Sequence, residues 1–473
     1  MPAPRATLSD LFVPHMQLGD LRRNHRFGRI LERLVSNPAG CVTQVFDQTK
    51  ERLATYRFLE SDHFCHRRLL EGIASTTASK IRTYRHKQII VALDKSALSL
   101  PSSSAEIHDL IAGCHNPGFW SLNAIALEAD HHLPIGLLWQ ILFERSETKI
   151  SQQMTSAQRK GRPWYEKESY FWKVAIENCL RVLRLHCDSM PHVLFVIDAE
   201  GDIAELLQWV GEQPDCDLLA RISVKTRKEV FHEEEIADVL RRQSREAEYG
   251  MYLPRQQRSA HIGVGFAPLT YNIFRQMPTD WRKHLGTLDL WGIVASEIGA
   301  PDEESAVEWL LITTQAIETI EEALDLVRHY NGRWIIERFH HALKQVLKVS
   351  QTQLASKGAL KKWIHMQSQA AMDIERTMRV ARSAPKTKAV EEVSREAVYV
   401  VMAMQDEAPE PFKERSLESV TMKEFVLWLA QLGGYMKRKQ GNPGHITISR
   451  GWARVSMTVT ALERGLLPRP EQL

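Results

Sequence analysis

Gln88-Ile-Ile-Val-Ala-Leu-Asp94 is a continuous apolar run that ends at an aspartate, and Val193-Leu-Phe-Val-Ile-Asp198 repeats this pattern later in the chain. A strand that is buried on both faces of a sheet is apolar at every position, whereas a half-exposed strand alternates. Both runs therefore predict buried strands of a central sheet. Each aspartate is expected where its strand ends, and either one alone would be explained by capping of the next turn.

The segments around these runs predict the order of the neighbouring elements. Apolar-rich segments at about 118–129 and 134–144 follow the first run and favour an antiparallel meander. An amphipathic helix over 168–185 precedes the second run, a helix over 203–210 follows it, and 218–224 is a further strand. This order is that of an α/β ribonuclease H-like core, in which a mixed sheet is flanked by helices.

The remaining segments predict additional domains. Residues 1–80 show helical periodicity with one basic face, and residues 381–473 are helical again. Alternating apolar segments, with turns rich in glycine and proline, predict a β-rich insertion at 228–315. The core is then expected at 81–227 and 316–380. A chain of 473 residues is long enough for three or four domains.

Charge and cysteine content narrow the class of protein. The formal net charge of +3 conceals a basic start, since residues 1–90 hold 15 Lys and Arg against 8 Asp and Glu. Such a segment favours a polyanionic partner, although ordinary surfaces show similar biases. The six cysteines are scattered, without zinc-site spacing, and indicate reduced thiols. The start lacks a signal-peptide pattern and no apolar run approaches about 18 residues, so we expect a cytoplasmic protein without a membrane segment.

A second informative stretch is Tyr330-Asn-Gly-Arg-Trp-Ile-Ile-Glu337-Arg-Phe-His-His-Ala-Leu-Lys344. At about 100° per residue, Arg333, Glu337 and Lys344 fall on the side of Tyr330, opposite a face of apolar side chains. A solvated amphipathic helix would show the same separation. Asn331-Gly332 favours a break just after Tyr330, so the continuity of this helix stays open.

Asp94, Asp198 and Glu337 together indicate a metal site. Carboxylates at adjacent strand ends, joined by a third from a flanking helix, can hold two divalent ions roughly 3.5 to 4 Å apart. Mg²⁺ suits such a site because it prefers oxygen ligands, with Mn²⁺ as an alternative ion. Two ions held in this way promote phosphodiester cleavage and strand transfer. Glu200 and Asp202 are expected to cap the next helix or to support the site.

The spacing of Tyr330, Arg333, Glu337 and Lys344 resembles the Y-R-E-K signature of bacterial DDE cut-and-paste transposases of the IS-four family, the family of the Tn-five transposase. Other blocks resemble that family in the same order, and the resemblance covers most of the chain. These blocks are Leu18-Gly-Asp-x-Arg-Arg23, Tyr56-Arg-Phe58, Glu166-Lys-Glu-Ser169, Asp198-x-Glu-x-Asp-Ile203, Trp309-Leu-Leu311, Arg333-Trp-x-Ile-Glu-x-Phe-His340, Leu432-Gly-Gly-x-Met436 and Gly451-Trp452. Two departures are Lys95-Ser96, where the family has two threonines, and a longer spacing between the aspartates, which we place in a basic loop at Lys149–Pro163.

The resemblance implies roles for individual residues. Asp94, Asp198 and Glu337 are implied as the catalytic, metal-binding triad. The residues implied in DNA contact are Tyr330, Arg333, Lys344, Trp309, Arg221, Lys225, Arg22, Arg23 and Arg26. Trp309 is implied in handling a base flipped out of the DNA, with a core aromatic as the alternative.

The other basic residues have simpler alternatives. Arg221 and Lys225 are implied to grip DNA near the cleavage site, although a solvated strand end would explain them as well. Phosphate contact at the DNA end is implied for Arg22 and its neighbours, without showing which of them reads bases.

The histidine pairs His131-His132 and His340-His341 are expected to have surface or packing roles. Both pairs are reminiscent of metal ligands, but adjacent residues point to different sides of a strand or helix, which favours the surface or packing role.

The activity implied by the resemblance is that of a DNA transposase. Such an enzyme binds the inverted repeats at the transposon ends, cleaves them through a hairpin by Mg²⁺-dependent phosphoryl transfer, and joins the 3′ ends to target DNA. The resemblance also implies a homodimer in the synaptic complex, with the helices around 432–452 as the candidate contact, in a nucleoid-associated bacterial enzyme. The alternatives are a ribonuclease H-like nuclease without strand joining and a non-catalytic DNA-binding repressor of transposition.

Overall fold

The computed structural model describes residues 7–101, 117–144, 155, 158, 162–222, 234–253, 256–272, 287–301, 306–405, 416–436, 442–463 and 465–468. The strands in these residues are β1 (Gln88–Ser99), β2 (Gly118–Glu128), β3 (Pro134–Phe143), β4 (His192–Ile197), β5 (Cys216–Arg221), β6 (Ala247–Leu253), β7 (Arg258–Asn272), β8 (Thr287–Glu297) and β9 (Glu308–Thr313). They form one nine-stranded sheet with the order β3-β2-β1-β4-β5-β9-β8-β7-β6.

The first half of the sheet follows the predicted order. β1, β2 and β3 form the expected antiparallel meander. β4 then pairs parallel with β1, and β5 pairs parallel with β4, so the sheet is mixed. Two parallel neighbouring strands must be joined by a crossover connection. One helix precedes β4 in the chain and another follows it, so both of these connections contain a helix. The fold is therefore α/β, with a large mixed sheet flanked by helices.

The predicted insertion contributes strands to this same sheet. Ala220 of β5 pairs with Ile312 of β9, and β8, β7 and β6 continue outward from there, each antiparallel to its neighbour. Ile312 and its neighbour Leu311 are fully buried, so the apolar interior extends into this half. The predicted domain boundaries remain predictions.

The helices are α1 (Leu8–Phe12), α2 (Leu21–Ser36), α3 (Val42–Val45), α4 (Thr49–Leu59), α5 (His66–Thr83), α6 (Tyr170–His186), α7 (Ala204–Gly211), α8 (Ile236–Arg241), α9 (Ile320–Gly332), α10 (Trp334–His341), α11 (Lys357–Ser383), α12 (Ala389–Glu392), α13 (Arg395–Ala403), α14 (Met422–Leu432) and α15 (His445–Glu463). A π-helical turn, Ala342–Val346, directly follows α10. None of the described helices is both long and apolar enough to cross a membrane.

Two buried clusters organise these elements. Phe27 of α2 belongs to the same cluster as Val91 of β1, so the N-terminal helices share the core of the sheet. A second cluster joins α12 to α15 with the end of α11. Within it, a side chain at Gly433 would meet the carbonyl of Thr447, and one at Gly451 would meet that of Leu429. These glycines allow α14 and α15 to approach closely.

Asp94 does not lie at the end of its strand, as the sequence pattern predicted. β1 continues to Ser99 because its antiparallel partner β2 continues beside it, with Asn123 opposite Asp94. The parallel partner β4 ends at Ile197, and Asp198 is the first residue beyond it. Asp94 therefore lies where the parallel pairing stops, in the middle of a longer strand.

Candidate active site

The parallel pairing of β1 with β4 brings the two aspartates to the same level. Ala92 pairs with Val196, and Asp94 and Asp198 each lie two residues farther along. Asp198 also caps the short turn that follows, since its Oδ1 accepts a hydrogen bond from the amide of Glu200 at 2.9 Å. The capping role considered from the sequence is thus present, and it leaves Asp198 beside Asp94.

The stretch that carries Glu337 is not one regular helix. α9 ends at Gly332, Arg333 forms the junction, and Glu337 lies in the first turn of α10. A side chain at Gly332 would lie 2.6 Å from the ring of His132, so glycine permits close packing at this break. Lys344 lies beyond α10 in the π-helical turn. The helical period of about 100° per residue, assumed for the whole stretch, is therefore interrupted at Arg333 and again at the π-helical turn.

Arg333 faces the acidic residues instead of solvent. Its Nη1 lies 3.9 Å from Oδ2 of Asp94 and 3.6 Å from Oε1 of Glu337. Its Nε and Nη1 are buried and have no hydrogen-bond partner among the described residues. Buried polar groups are normally hydrogen-bonded, so these atoms are suited to receive an anionic oxygen that enters the cleft.

The carboxyl of Asp94 has a pKa that is shifted by its surroundings. Burial raises the pKa of its carboxyl to about 7, and the charges of Glu337 and Asp198 add to this effect. Arg333 and the amide of Lys95 act in the opposite direction. A neighbouring carboxylate disfavours ionisation of a second one, and a bound cation relieves that repulsion. The group is therefore suited to a divalent metal ion.

Among the described residues, one group of at least three potential metal ligands has atoms that all lie within 4.8 Å of one another, and its members are Asp94, Glu337 and His340. Asp198 is not in that group, although its charge acts on Asp94. Oxygen-rich sites of this kind suit Mg²⁺ or Mn²⁺.

His340 was not predicted from the sequence to face the acidic cluster. It is 6% exposed, and its Nδ1 lies 3.5 Å from Oδ2 of Asp94. Burial lowers the pKa of His340 to about 3. The signal in the sequence was the spacing from Glu337, since residues three apart on a helix share a face. As expected, its neighbour points elsewhere: His341 is exposed and packs against His445.

The second histidine pair is also divided between two environments. His132 is 6% exposed, and its Nε2 lies 3.1 Å from Nδ1 of His329 on α9, whereas His131 is exposed. The packing role expected from the sequence is therefore present at His132.

Four of the residues implied in DNA contact lie close together, namely Arg221, Trp309, Tyr330 and Arg333. The rings of Trp309 and Tyr330 meet edge to face, with 6.0 Å between their centroids. The guanidinium of Arg333 lies 5.8 Å from the centroid of Tyr330. Arg221, at the exposed end of β5, reaches the carbonyl of Glu308 next to Trp309. Tyr330 is only 7% exposed, whereas Trp309 is partly buried.

The other implied DNA contacts lie elsewhere. Lys344 is half-buried, and its positive charge acts on His340. Lys225 and most of the Lys149–Pro163 loop lie outside the described residues. On α2, Arg22 is exposed, Arg23 donates to the carbonyl of Leu18 at 3.1 Å, and Arg26 forms an ion pair with Glu51 at 2.5 Å.

Lys95 links the elements that carry the two aspartates. Its Nζ lies 2.8 Å from Oε1 of Glu168, before α6, and 2.8 Å from Oε2 of Glu200, after β4. Successive side chains on a strand point to opposite faces, so this bridge lies across the sheet from Asp94. The departure from the family pattern at Lys95 is thus part of a defined contact.

Comparison with known proteins assigns two parts of the chain to protein families. Residues 10–64 match the family model described as transposase DNA-binding, and residues 143–372 match that of the transposase DDE domain. Asp198 and Glu337 lie within the second match, and Asp94 precedes it. A cryo-EM structure of the piggyBac transposase synaptic complex with hairpin DNA aligns with 98% of this chain and 81% of its own, at 10% identity and a TM-score of 0.36. A TM-score at that level does not establish a shared fold. The two family matches show that the chain joins a transposase DNA-binding domain to a transposase DDE domain, and that it is a DDE transposase, a metal-dependent enzyme of DNA cleavage and transposition.

Proposed function

We propose that this transposase works by the cut-and-paste route of the IS-four family, with a ribonuclease H-like core and a catalytic triad of Asp94, Asp198 and Glu337. The observation that carries the proposal is the convergence of these carboxylates at the point where the parallel pairing of β1 and β4 stops. The strand order of the meander followed by β4 and β5 supports the ribonuclease H-like assignment.

The triad would hold divalent metal ions. When bound, two such ions supply activation of the attacking oxygen and stabilisation of the leaving oxygen at phosphorus. Asp94 and Glu337 offer oxygens close to one another, and Asp198 adds charge from the neighbouring strand. The same arrangement would serve nicking, hairpin formation, hairpin opening and strand joining, because each step is an in-line displacement.

The surrounding residues would position the DNA. Arg333 presents buried donor atoms to an incoming phosphate, and its guanidinium geometry suits paired contacts to phosphate oxygens. Trp309 and Tyr330 form an aromatic pair beside Arg333, suited to a base that leaves the stack when the end bends into a hairpin. Arg221, Lys225 and Lys344 would contact the strand near the cut.

The N-terminal domain would bind the transposon ends. Arg22 is exposed on α2 and open to phosphate contact, whereas Arg23 and Arg26 would exchange an internal partner for DNA. A homodimer would hold two ends in the synaptic complex. Ile446 and Met457 on α15 are 47% and 70% exposed, and they support a contact through the C-terminal helices.

The test is incubation of the purified protein with its own end DNA and Mg²⁺, followed by a denaturing gel. We expect hairpins and joined products from the unaltered protein, and end binding without cleavage from Asp198→Ala. A matched control is Asp325→Ala, an exposed acidic residue on α9, which should cleave normally. Nicks without hairpins would show a simple nuclease, and a shifted complex without any cleavage would show a repressor. Either result would overturn the proposal.

A further inference from the structure

A chain of buried polar side chains leads from the N-terminal helices to the active site. Its members, in order, are His66, His365, Gln140, Asn123, His340 and Asp94. Successive polar atoms lie 3.2, 2.6, 2.7, 2.9 and 3.5 Å apart. The four central members are at most 6% exposed. A buried polar network of this extent must have each donor matched to an acceptor, so its hydrogen-bond directions can be worked out.

The direction is fixed at Asn123 by a backbone carbonyl. Nδ2 of Asn123 lies 3.2 Å from the carbonyl oxygen of Ser121, which can only accept. The opposite amide orientation would place two acceptor oxygens against each other. Nδ2 therefore also faces Nε2 of His340 at 2.9 Å, and Oδ1 accepts from Gln140 at 2.7 Å.

The same direction continues toward the N-terminal helices. Gln140 uses its Nε2 as donor to Asn123 and to Ser368, so its Oε1 accepts from Nδ1 of His365 at 2.6 Å. His365 then accepts through Nε2 from Nδ1 of His66. Every member from His66 to Asn123 therefore donates toward the active site.

This polarity determines the tautomer of His340. Its Nε2 accepts from Asn123, so the ring proton is on Nδ1, the nitrogen that faces Asp94. A metal ligand needs a free lone pair on the nitrogen that binds. Nδ1 carries the proton and Nε2 is occupied by Asn123, so neither nitrogen is available to a metal ion.

The carboxylate of Asp94 is held from two sides. Its Oδ1 accepts from the amide of Lys95 at 2.9 Å, and its Oδ2 faces Nδ1 of His340. The 3.5 Å separation between Oδ2 and Nδ1 is longer than an ideal hydrogen bond, and such contacts in catalytic sites commonly shorten when the complex forms.

We propose that His340 is a positioning residue and not a metal ligand, and that Asn123 holds it in the tautomer whose Nδ1–H orients the carboxylate of Asp94. The inference rests on the proposed metal site of Asp94, Asp198 and Glu337. It makes the ligand set of this chain all carboxylate, although His340 lies within ligand distance of two of its members.

Metal binding by the full-length protein, measured without DNA, tests the assignment. Mn²⁺ binding is followed by electron paramagnetic resonance of the free ion, and Mg²⁺ binding by competition with Mn²⁺. We expect His340→Leu to weaken both ions by a similar factor of about 10, as is usual when a residue that supports a ligand is removed. A nitrogen ligand favours Mn²⁺ over Mg²⁺, so selective loss of Mn²⁺ binding would overturn the proposal. Unchanged binding of both ions would overturn it as well.

Two further variants separate positioning from damage to the fold. His340→Asn keeps an N–H donor near the place of Nδ1 and should recover most of the binding that His340→Leu removes; equal losses would contradict the donor role. Asn123→Asp would draw the ring proton to Nε2, so we expect weaker metal binding. If His340 were a ligand, the new carboxylate would strengthen binding.

The controls distinguish this inference from the proposed function. His341→Asn changes the exposed neighbour and should bind both ions normally. Asp198→Ala should lose metal binding whether or not His340 positions the carboxylate of Asp94. If the unaltered protein bound neither ion, the proposed metal site would fail. If the unaltered protein bound both ions and the His340→Leu variant bound them equally well, only the positioning role of His340 would be contradicted.

Discussion

Nη1 of Arg333 lies 3.6 Å from Oε1 of Glu337, four residues later in the chain. The same nitrogen lies 3.9 Å from Oδ2 of Asp94. One guanidinium therefore lies between two carboxylates of the proposed metal site. In the metal-free protein it offsets part of their mutual repulsion. Its buried Nε and Nη1 make no hydrogen bond to the described residues, so they could donate to a phosphate that enters the cleft.

Arg333→Gln should destabilise the metal-free protein more at pH 8 than at pH 5. The positive charge of Arg333 lowers the pKa of Asp94, so its removal makes ionisation of that carboxyl more costly. We expect a loss of about 1 to 3 kcal/mol at pH 8, partly recovered with Mg²⁺. Thermal unfolding at both pH values measures this, with the exposed Arg328→Gln as control. Equal losses at both pH values would contradict the electrostatic role.

Asp94→Asn should stabilise the metal-free protein at alkaline pH. The folded carboxyl has a pKa of about 7 against 3.8 for the unperturbed group, so the folded state binds the proton more tightly than the unfolded state. Stability of the unaltered protein is therefore lost as pH rises from about 4 to 7. The asparagine removes a cost of at most about 4 kcal/mol above pH 7 and has little effect below pH 4. Urea unfolding in a chelator across this range checks the sign, and an unchanged difference between the two proteins at pH 4 and pH 8 would refute it.

Lys95→Met should slow cleavage while leaving end binding intact. The bridge from Lys95 to Glu168 and Glu200 connects β1 with the turn that Asp198 caps. Its loss removes the shared cation from between two carboxylates behind the site and loosens that turn, and we expect about a tenfold lower rate of nicking. A single-turnover assay on end DNA measures the rate, with Lys173→Met, which breaks an ion pair within α6, as the matched control. Normal nicking by the Lys95 variant would show that the bridge is not needed.

Trp309→Ala should affect hairpin formation more than the first nick. The nick needs the metal site, whereas the hairpin also needs a distorted DNA end, for which Trp309 and Tyr330 would supply an aromatic surface. Nicked DNA should accumulate on a denaturing gel. Trp291→Ala, a tryptophan of β8 packed on Phe266, controls for loss of a large side chain in the sheet. Parallel losses of nick and hairpin would instead place Trp309 in the core of the fold.

Arg22→Ala and Arg26→Ala should differ in the salt dependence of end binding. Arg22 is exposed, so removing its contact with a DNA phosphate should lower the salt slope by about 1. Arg26 is already paired with Glu51, and breaking that pair offsets part of any gain from DNA. Binding titrations between 50 and 200 mM salt, at about these values, give both slopes. Identical slopes for the two variants would show that the internal pair does not compete with DNA.

Several parts of this fold could be predicted from local sequence. The apolar runs before Asp94 and Asp198 predicted two buried strands, because a strand covered on both faces needs apolar side chains at every position. The bounds of β2 and β3 also agree with their apolar segments. The extension of β1 beyond Asp94 could not be predicted, because it depends on the pairing with β2, which has no local signal.

The candidate site, too, could be predicted only in part from the local sequence. The resemblance carried by the spacing of Tyr330, Arg333, Glu337 and Lys344 implied a DNA-processing site, and that spacing is a local property of the sequence. The sequence did not indicate that Arg333 would lie between carboxylates or that His340 would face Asp94. Both depend on the break at Gly332 and on the packing of α10 against β1, which join residues far apart in the chain.

The amino-acid sequence by itself determined which residues are candidates for the chemistry, because residue type and helical or strand period are local properties. The tertiary structure alone decided how those residues are held. Asn123 lies opposite Asp94 and reaches His340 only because β2 pairs with β1 in one register while α10 packs over both. A shift of one residue in that register would turn Asn123 to the other face, so its role depends on long-range pairing.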